Sequence, residues 1–157
     1  MDNHETIEVR QRGQGSSLGL QTTICKGAEM ADDQLVTGVD FVSVPTHDIE
    51  AAVAFYGDTL GLPRRSYMPE RGFAEFQAGN LTIGLMTPEK MGMEHHTSRN
   101  PIALQVKDME NARGELEQAG VQFAGDTFDT GVCHMAFFAD PDGNALMLHH
   151  RYAPREN

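Results

Sequence analysis

His134 and His149 stand on either side of the turn Asp140, Pro141, Asp142, Gly143 in CHMAFFADPDGNALMLHH. If those turn residues close a hairpin, Ala139 faces Asn144, and the ladder pairs Phe138 with Ala145, Ala136 with Met147 and His134 with His149. Neighbouring imidazoles could pass a proton near neutral pH as acid and base, or hold a divalent ion. They could also simply bond each other or a backbone carbonyl at a pocket rim, because a catalytic ion usually takes three protein ligands. A one-residue bulge would reverse the assignment of faces.

Other chemistry-bearing groups have blander readings. His95 and His96 adjoin Glu94 in TPEKMGMEHHTSRN, but adjacent residues seldom converge on one ion, and a polar linker is expected. Cys133 precedes His134; strand neighbours point to opposite faces, so an inert buried thiol is expected rather than a nucleophile with its base. Arg64, Arg65 and Arg71 with Tyr67 could hold an anion at a pocket mouth, although a solvated loop explains them as well. No GxGxxG, phosphate-cradling loop or HExxH motif occurs.

The elements that must position these groups fit one domain. The 157 residues are 39% apolar and 22% charged, as in a globular chain, and no apolar run approaches the roughly 18 residues of a membrane span. Twelve basic against twenty-three acidic residues leave a net charge of −11, which repels nucleic acid and anionic lipid. Cys25 and Cys133 form no CxxC pair. The opening MDNHETIEVR lacks a secretory pattern, so a cytoplasmic location is expected. Residues 1–35, rich in Gln, Gly, Ser and Thr, read as a disordered tail. Met30, opening MADDQLVTGVDF, is a candidate alternative start.

From residue 36 to 153 the same unit is written twice, over about 36–88 and 100–152, with a linker at about 89–99. The first has a strand at Val39 to Val44, then an Asp48-capped helix with Ile49, Ala52, Val53, Tyr56 and Leu60 on one stripe, stopped by Gly61. Strands follow at about Gly72 to Gln77 and Leu81 to Met86. The second has Ile102 to Val106, an Asp108-capped helix striped by Met109, Ala112, Leu116 and Ala119, and Gly120 as its stop. Val121 to Phe123 is a candidate short strand, and Cys133 to Phe138 and Asn144 to His149 form the final hairpin. Two βαβββ modules, each with one sheet face under its helix, define an α+β fold whose other faces curve around a central cavity.

VDFVSVPTHDIEAAVAFYGDTLGL, IALQVKDMENARGELEQAGVQF and DPDGNALML, in that order, resemble the vicinal oxygen chelate superfamily of glyoxalase I, extradiol dioxygenases, fosfomycin-resistance enzymes and bleomycin-binding proteins. The resemblance spans roughly residues 37–152. In metal-dependent members it implies a His from the first strand and a carboxylate from the last strand of each module, holding an ion that polarises vicinal oxygens. The matching positions here are Phe41, Gly84 (Thr82 after a slip of two residues), Pro101 and Met147, none a normal ligand for such an ion.

The expected protein is therefore a small-molecule binder, drug- or metabolite-sequestering, with Phe41, Ser43, Gly84, Met86, His134, Met147 and His149 lining its pocket. No cofactor is expected, and a divalent metal only at a non-standard site. Small-molecule ligands and a second copy of the chain are the expected partners. The alternative is a glyoxalase-like lyase or isomerase, or a dioxygenase-like enzyme, working through His134 and His149 or a relocated ion.

Overall fold

Asp48 and Asp108 start the two main helices by the same device. Asp48 takes extended backbone angles, and its carboxylate accepts from the Glu50 and Ala51 N–H groups at 3.1 Å each; Asp108 accepts from Asn111 N at 3.0 Å. Each cap satisfies amides that lack an intrahelical partner. Helix α1 runs Ile49–Ala54 and α2 runs Met109–Gln118. The apolar stripe of α1 continues through a π-helical turn, Phe55–Thr59, in which Leu60 N bonds to Phe55 O at 2.9 Å. The wider turn carries Tyr56 into full burial.

The structure, a computed structural model, describes residues 35–155; the expected tail, the candidate start at Met30 and Cys25 lie outside the described residues. Among the described residues, all strands and helices fall within the unit that begins at Gly38. Its first sheet contains β1 (Phe41–Pro45), β2 (Arg64–Met68), β3 (Phe73–Ala78) and β4 (Leu81–Met86), in the order β1-β4-β3-β2. Its second contains β5 (Ile102–Gln105), β6 (Phe128–Asp129), β7 (Cys133–Ala139) and β8 (Ala145–Arg151), in the order β5-β8-β7-β6. In each, the first and last strands run parallel and the rest antiparallel. This is the expected βαβββ pattern twice over, as two mixed sheets that do not close on one another.

Period-2 alternation sorts the faces. Val44, Ala74, Phe76, Ile83 and Leu85 are buried on the α1 side, and Ala136, Phe138, Leu146 and Leu148 on the α2 side. The alternate residues are mostly half-buried or exposed. Each sheet thus keeps a face turned away from its helix.

Two expectations need correction. The arginine-rich stretch after α1 is strand β2, paired with β3 across a bulge at Arg64/Ser66, and Arg64 lies over the Tyr67 ring at 5.1 Å. Val121 to Phe123 contributes only an isolated bridge, Phe123 to Phe138; the fourth strand of the second module is β6.

Candidate functional site

The β7–β8 turn decides which side chains reach the open face. Asp140 N donates to Asn144 O at 3.1 Å and Gly143 N to Asp140 O at 3.0 Å, so the loop proper is Pro141, Asp142, Gly143, with Gly143 at φ +82°. Such a three-residue hairpin loop needs a left-handed residue at its end. Asp140 faces Asn144, and the ladder runs Ala139–Ala145, Phe138–Leu146, Phe137–Met147, Ala136–Leu148, Met135–His149 and His134–His150.

This register is one residue away from the expected one and corrects the pairing of His134 with His149. Ala145, Met147 and His149 stay on the open face of β8, while Met135 and Phe137 replace His134, Ala136 and Phe138 on β7. His134 is across the sheet, with its ring 6.3 Å from His150 and 4.9 Å from Tyr152, and Nε2 3.7 Å from Asp129 Oδ2. Tyr152 donates its hydroxyl to Asp129 Oδ1 at 2.7 Å, and that bond, helped by Gly131 N–H and His134, holds the Asp129 carboxyl below its ordinary range. His134 and His149 therefore do not form an acid–base or ligand pair.

On the first sheet, Phe41, Ser43, Gly84 and Met86 share the open face. Ser43 sits opposite Gly84, and Pro45 opposite Met86. A Cβ placed on Gly84 would lie 3.8 Å from the Phe41 ring and 3.9 Å from the Phe73 ring, so two aromatic rings close over the Gly84 backbone, which is itself buried. The neighbouring register position on β3 is Glu75, whose Oε2 accepts from Ser66 Oγ at 2.9 Å. Sequence reasoning missed Glu75, although the alternation Phe73, Ala74, Glu75, Phe76 puts it opposite buried Ala74 and Phe76.

The positions that would match family ion ligands do not fit an ion. The Phe41 ring is apolar, Gly84 has no side chain, Pro101 is exposed ahead of β5 without a donor, and Met147 offers a thioether. Thr82, the slipped alternative, supplies only a hydroxyl. Oxygen-seeking cations need carboxylate or imidazole ligands. The open faces are instead apolar, with Phe41, Phe128 and Phe137 exposed by 56%, 58% and 39%.

A separate cleft of about 870 Å³ lies on the helix side, between the β3–β4 turn and β5 with α2; Leu60, Leu81, Ile83, Ile102, Leu104 and Leu116 line it. None of the positions that match family ion ligands borders it.

The remaining candidates resolve individually. Cys133 is buried, with Sγ 3.1 Å from Thr130 Oγ1. His96 and Glu94 form an exposed 3.6 Å pair, whereas His95 leaves them and stacks on His47.

Where the modules meet, Asn144 Nδ2 donates to Pro45 O at 2.8 Å, His47 N to Asp142 Oδ1 at 2.9 Å and Tyr56 OH to Asp140 Oδ2 at 3.1 Å. The two βαβββ modules thus carry their helices on one side and open strand faces on the other.

Residues 38–148 match the Glyoxalase/Bleomycin resistance protein/Dioxygenase superfamily, and the chain belongs to that family. It is 28% identical over 115 residues to the uncharacterized protein YraH of Bacillus subtilis (strain 168), covering 66% of this chain and 90% of that one. The fold is similar to TnmS3, an antibiotic binding protein from Streptomyces sp. CB03234, with TM-score 0.63, 23% identity, and 75% and 98% of the two chains covered. It is also similar to a lactoylglutathione lyase from Agrobacterium tumefaciens, with TM-score 0.64, 16% identity, and 73% and 94% covered. Among the described residues, no helix is long and apolar enough to cross a membrane.

Proposed function

We propose that this protein binds a flat or greasy small molecule on its open sheet faces, without an ion at the family's usual position. The observation that carries the reading is the pair of rings, Phe41 and Phe73, closing over buried Gly84, where metal-dependent members would need a carboxylate. Phe41, 56% exposed, offers a planar ligand an aromatic surface, and burying one Phe side chain against it contributes about 1.5–3 kcal/mol. Met86 and Met147 supply pliable apolar contacts, while Ser43, Glu75 and His149 supply orienting polar groups. The antibiotic-binding relative of the same fold supports sequestration as the role. A homodimer is part of the proposal, because a second copy would enclose a ligand held on the open faces that carry the exposed Phe41, Phe128 and Phe137.

The alternative of a lyase, isomerase or dioxygenase-like enzyme rested on His134 and His149 or on a relocated ion. The β7–β8 register leaves the histidine arm with His149 alone.

Titration with the apolar dye 8-anilinonaphthalene-1-sulfonate tests the reading. Phe41→Ala weakens dye binding about tenfold, the equivalent of about 1.4 kcal/mol, whereas Glu115→Trp at the helix-side cleft leaves it unchanged. The opposite pattern would move the site to the cleft and defeat the proposal.

A further inference from the structure

A second cluster, outside the open faces, has the makings of a metal site. It gathers four side chains from separate segments: His47 between β1 and α1, Glu89 on the 3-10 turn Pro88–Met91, His95 in the connection between modules, and Asp142 at the tip of the β7–β8 turn. One ligand atom from each of His47, His95 and Asp142 lies within 4.8 Å of the others. The His47 and His95 rings stack with centroids 3.6 Å apart and planes at 28°.

Two details separate this cluster from a chance gathering of polar side chains. First, His95 Nε2 is buried and has no hydrogen-bond partner. A buried ring nitrogen left alone costs free energy, and a bound ion is one of the few things that satisfies it. Second, His47 Nδ1 is 2.6 Å from Glu89 Oε1. That contact fixes the tautomer with the proton on Nδ1 and leaves the Nε2 lone pair free, the arrangement by which a carboxylate orients a metal-ligating histidine.

Asp142 is also held in place. Its N–H bonds to Asp140 Oδ1 at 3.0 Å, and its Oδ1 accepts from His47 N at 2.9 Å, leaving the second carboxylate oxygen to face an ion. Donors on a tetrahedral zinc ion at 2.0–2.1 Å stand about 3.3 Å apart. The three ligand atoms, within 4.8 Å of one another, need small side-chain rotations to reach that spacing, and His47, whose side chain is 62% exposed, has room for one.

We propose that His47, His95 and Asp142 bind one borderline divalent transition ion such as Zn²⁺, with Glu89 orienting His47 and a fourth position left to water. Two imidazoles and one carboxylate are the ligand chemistry such an ion selects. Because the three ligands come from the first module, the connection and the second module, the ion acts as a clasp that fastens the connection across both. This assignment is independent of the ligand-binding reading and stands or falls without it.

The test uses the full chain, untagged, stripped with a chelator and titrated with Zn²⁺ by calorimetry. One ion binds per chain, and the melting temperature rises with added Zn²⁺. His47→Ala and His95→Ala abolish both effects, and Glu89→Gln weakens binding about 10–100-fold. His96→Ala and His149→Ala bind as wild type. His47→Ala removes an exposed side chain outside the core, so its loss of binding reads as loss of a ligand once its circular dichroism matches wild type. Absence of saturable Zn²⁺ binding by wild type overturns the proposal. So does wild-type affinity in His47→Ala or His95→Ala, or binding lost in His96→Ala instead.

Discussion

The Tyr56 hydroxyl donates to Asp140 Oδ2 at 3.1 Å, joining the π-helical turn of the first module to the hairpin turn of the second. The same carboxylate accepts from Asp142 N, Asn144 N and Asn144 Nδ2 at 3.0, 2.8 and 2.8 Å. One side chain therefore shapes the turn that sets the β7–β8 register and also ties it to the other module.

Burial, and then the Asp140 charge, raise the Tyr56 pKa above its ordinary value. A tyrosine that ionises more easily when unfolded contributes stability that is complete below about pH 10 and is lost as pH rises beyond it. Urea unfolding of wild type should show this alkaline loss. Tyr56→Phe should flatten it and cost about 1–3 kcal/mol at neutral pH, since a buried bond to a charged acceptor is removed.

Asn144 bonds Pro45 O and Asp140 Oδ2 through its amide nitrogen and Ser98 N through its amide oxygen, and is 1% exposed. Asn144→Ala removes all three bonds, leaving Asp140 Oδ2 with Tyr56 alone, and should destabilise the chain by about 2–4 kcal/mol. Denaturant unfolding checks this; a loss below about 0.5 kcal/mol would contradict the role given to the junction.

Two glycines should differ in their tolerance of a side chain. Gly72 has φ +63°, and a Cβ there would fall 2.6 Å from Thr87 Cβ, so Gly72→Ala should cost more than about 1 kcal/mol. Gly84 has ordinary contacts around its imagined Cβ, so Gly84→Ala should change stability by less than about 0.5 kcal/mol while altering dye affinity. Paired melting and dye titrations separate the two effects.

The register predicts a difference between His149 and His134. His149→Ala should weaken dye binding severalfold, whereas His134→Ala should leave it within error and lower stability modestly through the lost contacts to Tyr152 and Asp129. Equal effects on affinity would place both histidines at one site and contradict the observed ladder.

Much of the scaffold was readable because its signals are local. The Asp48 and Asp108 caps, the apolar stripes and the β4 run Leu81–Met86 each announce themselves within a few residues. Strand β2 was not legible, because its arginines, Tyr67 and Met68 are exposed and show no buried alternation. The hairpin register turned on whether Asn144 begins the strand or closes the loop, and its contacts to Asp140, Pro45 and Ser98 decide that. Phe41, Ser43, Gly84 and Met86 follow from alternation along single strands, whereas the facing of His134 depended on pairing two. The approach of His47, His95 and Asp142 has no local signature, since three loops distant in sequence create it.

The most direct test of the central claim is a crystal structure of the protein with 8-anilinonaphthalene-1-sulfonate bound. The dye should lie against Phe41 and Gly84 of one sheet, or Met147 and His149 of the other, with no ion coordinated at the Phe41, Gly84, Pro101 or Met147 positions. Dye seated in the helix-side cleft beside Leu104 and Leu116, or an ion held on the open faces, would contradict it.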